Sequence, residues 1–103
     1  MKLQLTSLFG LFLARSAQAS FYVCTQENFQ GICQNFDLPY NECHTFESFF
    51  DKKVVSAGPD EGSWCTLYAN PGCTGDELNL NFPGLNSLGG WNNKAGSFNC
   101  AAV

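Results

Sequence analysis

"WCTLYANPGCTGDELNLNF", residues 64–82, has the makings of a β-hairpin but carries more fixed features than a hairpin needs. "WCTLYA" is rich in aromatic and β-branched side chains, which fit a pleated, half-buried surface. "NPG" at 70–72 sets up a turn, with Pro71 holding its own φ and Gly72 free to take a positive one. "ELNLNF" at 77–82 alternates apolar and polar residues, the signature of a half-buried strand. Tyr68, Cys73 and Gly75 remain unexplained by a simple turn. Gly75 follows a large side chain, where a hairpin folded over on itself requires a residue without Cβ.

The same spacing occurs 44 residues earlier. "FYVCTQENFQGICQNFDL" at 21–38 aligns without gaps on 65–82, placing Cys24 on Tyr68, Phe29 on Cys73, Gly31 on Gly75 and Phe36 on Leu80. At an offset of 41, Phe50 meets Trp91, Asp51 meets Asn92 and Ser56 meets Ser97. Each copy of roughly 40 residues suffices for four short strands and their turns. No segment sustains a 3.6-residue period over three turns, and "ECHTFESFF" at 42–50 holds one helical turn at most. The fold class expected is all-β.

Residues 1–19 read as a secretory signal peptide: Lys2 near the start, an apolar run from Leu8 to Leu13, and Ala17-Gln18-Ala19 before a cut. That run is too short to span a bilayer, which takes roughly 20 residues. Cleavage after Ala19 leaves residues 20–103 as one secreted domain, with no membrane span and a monomer as the expected state. Removing Lys2 and Arg15 from the five cations leaves three against nine acids, a net charge of −6 with His44 neutral. Such a surface repels phosphate backbones, and Lys52, Lys53 and Lys94 are too few for a basic patch, so nucleic acid is not an expected partner.

Cys24, Cys33, Cys43, Cys65, Cys73 and Cys100 all follow the leader. An even count in a small exported chain predicts three structural disulfides. A zinc site is disfavoured, because no Cys-x2-Cys pair is present and His44 is the lone histidine.

The repeat resembles the Greek-key motif of the βγ-crystallins. "WCTLYANPGCTGDELNL" with "WNNKAGSFNC" is similar to the second motif of such a domain, and "CTQENFQG" with "FDKKVVS" to the first, with Cys24 in place of the usual Tyr and Cys73 in place of an aromatic. The resemblance spans residues 20–103 and is nearest to small, secreted, cysteine-rich microbial or fungal members. It implies a disulfide-stapled sandwich of two Greek keys, about 21–60 and about 61–103, as two four-stranded sheets about an approximate dyad. The core implied is Phe36, Phe46, Phe50, Val54, Leu67, Leu78, Leu80, Trp91 and Phe98, the phenylalanines being mostly filler of the inter-sheet layer rather than lining of a ligand pocket. Cys65 and Cys100 fall on neighbouring strands of that arrangement and form the preferred pair; nothing selects a pairing for the other four.

In that family, the stretches matching "NNKAGS" (92–97) and "DKKVVS" (51–56) bind calcium, which makes Asn92, Asn93 and Ser97, and Asp51 and Ser56, candidate metal ligands. Calcium takes six to eight oxygens. Gly96 replaces a hydroxyl residue in one stretch, while Lys52 and Val55 remove oxygens in the other. Binding is therefore expected to be weak, about 10⁻⁴–10⁻³ M. The competing expectation, which we favour, is that these residues cap loops through side-chain to backbone hydrogen bonds.

For catalysis the sequence offers little. One histidine excludes mechanisms that need two imidazoles, and His44, flanked by Glu42 and Glu47, is expected to be a solvated loop residue. Asp60-Glu61 and Asp76-Glu77 lie in turn-like stretches and read as solubilising surface rather than a glycosidase pair. The functional expectation is a secreted, non-enzymatic binding protein without a certain cofactor, its target an extracellular protein or a cell-surface or wall polymer, in the manner of an effector or toxin-like antimicrobial factor. The alternative is an extracellular calcium-binding stability module.

Overall fold

The computed structural model describes residues 18–103. The chain runs β1 (Gln18–Gln26), β2 (Gln30–Pro39), β3 (His44–Thr45), β4 (Ser56–Pro59), β5 (Ser63–Asn70), β6 (Thr74–Asn81) and β7 (Ser97–Ala102), with short 3₁₀ turns at Glu27–Phe29 and Gly89–Trp91. All pairings are antiparallel and form two sheets, ordered β2-β1-β4 and β3-β7-β5-β6. The expected all-β fold of two keys is present.

The duplication extends to single residue pairs. Phe21 faces Phe36 and Cys24 faces Cys33 in the first hairpin; Cys65 faces Leu80 and Tyr68 faces Glu77 at the equivalent places in the second. Both hairpins carry a bulge at the same point, between Cys24 and Gln26 and between Tyr68 and Asn70. The third strand of each key crosses to the other sheet. In the first key this is β3, with His44 opposite Phe98; in the second it shrinks to a single bridge between Leu85 and Ala57. Hence one sheet has three strands rather than the four expected.

Between the sheets lie Phe21, Val23, Phe46, Phe50, Val54, Leu67, Leu80 and Phe98, with Phe21 and Phe98 in ring contact at 4.8 Å. Phe36, Leu78 and Trp91, expected in the core, are only half-buried and pack against its margin. Phe21 and Val23 were not among the expected core residues, although the alternation of β1 turns both inward. Phe49 and Phe82 are 51% and 53% exposed, so the phenylalanines are not all filler.

All six cysteines are paired. Cys65–Cys100 joins β5 to β7, as expected; Cys24–Cys33 crosses the β1–β2 hairpin, and Cys43–Cys73 ties the segment before β3 to the turn of the second key. The expected signal peptide lies outside the described residues up to Ala17. Its last two residues begin β1, where Ala19 is buried opposite Leu38. From Ser20 onward the strand has its own anchor, since Ser20 N–H donates to Asp60 Oδ1 at 3.2 Å and Asp60 N–H returns a bond to the Ser20 carbonyl at 3.0 Å.

Candidate functional site

Each key folds the tip of its first hairpin back over the sheet. The tip takes left-handed backbone in matching places: Asn28 and Phe29 at φ 61° and 56°, Gly72 and Cys73 at 71° and 59°. Gly31 and Gly75 follow at φ 79° and 88°, where a Cβ would come within 2.7 Å of the Thr25 and Asn70 side chains. This is the reason for the glycines in the repeat.

One buried serine at the start of the last strand of each key latches each tip. Ser56 Oγ accepts from Phe29 N–H at 3.1 Å and donates to the Gln26 carbonyl at 2.6 Å. Ser97 Oγ accepts from Cys73 N–H at 2.8 Å and donates to the Asn70 carbonyl at 2.5 Å. Both hydroxyls are fully buried and committed to backbone, the capping role weighed against metal ligation.

The loops carrying the other candidate ligands brace each other across the dyad. Lys52 and Asn93 occupy equivalent left-handed positions, φ 60° and 63°. Lys52 N–H donates to the Ala95 carbonyl at 2.9 Å, and Asn93 N–H to the Val54 carbonyl at 3.0 Å. With backbones matched, side chains decide. The Lys52 ammonium donates to the Ala69 carbonyl and, at 3.3 Å, to the Lys94 carbonyl. In the first loop a tethered cation therefore sits among carbonyl oxygens of the second key, and Asp51 with Ser56 does not fit a calcium site there. The second loop has Asn93 at the equivalent position, and neighbouring Asn92 holds Oδ1 buried without a hydrogen-bond partner. An amide oxygen of this kind fits a hard cation only weakly, because it lacks carboxylate charge and the Lys52 ammonium already lies on the Lys94 carbonyl of the same loop. Lys94, from the same loop, pairs with Asp76 at 3.3 Å and lies 4.7 Å over the Trp91 ring.

His44, Asp60 and Asp76 each have a structural partner. His44 is a packing residue on β3, its ring 5.0 Å from Phe36 and 5.3 Å from Phe98, rather than a solvated loop residue. Asp60 closes the end of β1, and Asp76 is the partner of Lys94. Among the described residues no three His, Cys, Asp or Glu side chains converge as a metal site. Sequence reasoning missed the reach of the Lys52 ammonium to the opposite hairpin; the signal was available, since Lys52 aligns with Asn93 across the repeat.

Folded-over hairpins, latching serines and exchanged third strands define a βγ-crystallin fold. Solved structures agree. The N-terminal domain of Protein S is similar at 26% identity and TM-score 0.66, covering 82% of this chain and 97% of that one. A βγ-crystallin domain from Flavobacterium johnsoniae is similar at 18% identity and TM-score 0.68, over 80% of this chain and 93% of its own. A βγ-crystallin from an archaeon follows at 20% identity and TM-score 0.62, over 82% and 98%. No protein-family model and no curated protein matches the chain.

Proposed function

We propose that this chain is a secreted, non-enzymatic binding protein of the βγ-crystallin fold, an effector or toxin-like antimicrobial factor of a fungus or another microbe. The observation that carries the reading is that all six cysteines are spent on three disulfides across a fold of this size. Such stapling suits a small domain that must keep one surface in an oxidising exterior. Further support comes from the leader-like start of the sequence, and from the absence of any described helix long and apolar enough to cross a membrane. These polar groups serve the fold: buried Ser56 and Ser97 latch hairpins, while exposed Lys52 bridges keys. Recognition then falls to the surface. Labelled, disulfide-intact protein should bind a cell surface, wall polymer or extracellular receptor saturably, and chelator should not release it. Inertness toward every such target would end this reading.

A second reading, an extracellular calcium-stabilised module, rests on the unpartnered Oδ1 of Asn92. In that case millimolar calcium raises the melting temperature by several degrees, chelator reverses the gain and Asn92→Ala abolishes it. An unchanged melt removes this option.

A further inference from the structure

We propose that a groove on the first key binds an organic cation, an ammonium group on an apolar carbon body. This deepens the binding reading above, and rests on it for biological purpose though not for its chemistry.

The groove exists because one strand face is left uncovered. Along β2, Ile32, Gln34, Phe36 and Leu38 alternate toward the same side. The opposing edge strand, β3, is only two residues long, so it covers the far end of that face and leaves Gln34 and Ile32 exposed. The chain after β3 then turns tightly, with Phe50 and Asp51 N–H both donating to the Glu47 carbonyl at 2.9 Å. This turn buries Phe50, leaves Phe49 51% exposed and fixes Glu47 at the rim. The result is a cavity of about 430 Å³ lined by Gln34, Phe36, His44, Glu47, Phe49 and Phe50. That is large enough for a small organic ligand.

Its chemistry selects the charge of the occupant. Phe49 and Phe50 pack edge to face at 86° and 5.2 Å between centroids, as do Phe36 and Phe50 at 76° and 5.8 Å. Phe49, 51% exposed, therefore presents most of the aromatic surface open to an occupant. An aromatic face attracts a cation through its quadrupole. Glu47 supplies the one carboxylate, and no lysine or arginine lines the cavity. Two of the three described lysines are engaged elsewhere, Lys52 on carbonyls and Lys94 on Asp76. At the equivalent places in the second key, Glu47, Phe49 and Phe50 are replaced by Leu88, Gly90 and Trp91, and the groove found on that key, about 300 Å³ between Asn79 and Leu85, carries no charge. The cation site thus belongs to the side chains of the first key and not to the fold in general.

The test is an NMR titration of the disulfide-intact protein with benzyltrimethylammonium, with benzyl alcohol and N-acetylglucosamine trimer as neutral controls. Saturable shifts at Phe36, His44, Phe49 and Phe50, from the cation and not from the controls, are expected. Glu47→Gln should weaken binding roughly threefold, and Phe49→Ala roughly fivefold. Both side chains are exposed, so unchanged melting temperatures confirm that the variants are folded. Absent shifts, equal binding of a neutral control, or full affinity in Glu47→Gln overturns the proposal. Groove variants that lose the cation yet still bind a target surface would leave the broader binding reading intact, which separates the two failures.

Discussion

The two Greek keys share a backbone and differ in nearly everything the backbone does not require. Bulges, left-handed tips, latching serines and mutual loop bonds recur at offsets of 44 and 41 residues. The latching serines and the loop bonds satisfy backbone N–H and carbonyl groups that would otherwise go unpaired, at a cost of about 1–3 kcal/mol apiece where buried. The side chains have diverged: Lys52 against Asn93, a buried disulfide at Cys24 against Tyr68, a wide aromatic groove against a smaller uncharged one. Duplication thus preserved what closes the fold and left the two loop sites and the two grooves free to change.

The sharpest break in the comparison is at the dyad pair Phe98 and Ala57, both fully buried but of very different volume. Phe98→Ala should cost about 3–5 kcal/mol in denaturant unfolding, because Phe21, Phe36, Phe46 and His44 all lose a ring partner. The disulfides come next. Replacing Cys43 and Cys73 by serine opens a loop of sequence separation 30 and should cost about 4 kcal/mol, against about 3 kcal/mol for the Cys24–Cys33 staple of separation 9. Thermal melts of the two double mutants would reveal the ordering, and equal melts would show that chain entropy is not the governing term.

The latches should behave as twins. Ser56→Ala and Ser97→Ala each strand one buried N–H and one carbonyl, so each should lower stability by about 2 kcal/mol. At about 4–8 °C per kcal/mol for a domain of this size, the melts should fall together; a large gap between them would break the dyad as an energetic unit. Smallest of all is Lys52→Asn, which makes the first loop resemble the second. The lysine is exposed, so the loss should stay below about 1 kcal/mol, and differential scanning fluorimetry suffices to check it.

Much of this was legible because the repeat encodes geometry. Gly31 and Gly75 predict tips that admit no Cβ, and Cys65 with Cys100 fell on strands that do pair. The remaining disulfides were not legible, because Cys43 and Cys73 meet only when β3 crosses to the other sheet. Phe50 was placed in the core through its match to Trp91 and is buried, whereas the exposure of its neighbour Phe49 beside a groove was not foreseen. Adjacent residues of a tight turn point in different directions, and what the outward one borders depends on the packing around the turn. The loop motifs were legible in part: Lys52 already counted against a calcium site at Asp51 and Ser56, but the carbonyls of Ala69 and Lys94 that its ammonium meets could not be named from the sequence.

The amino-acid sequence alone determined the strand content, the duplication, the turn glycines and the oxidised cysteines, since each is set by local periodicity or by composition. Only the tertiary structure decided which carbonyls Lys52 meets, which cysteines join across keys and which phenylalanines frame a groove. Those outcomes depend on distances between residues far apart in the chain, fixed only once two apolar sheet faces have closed on each other.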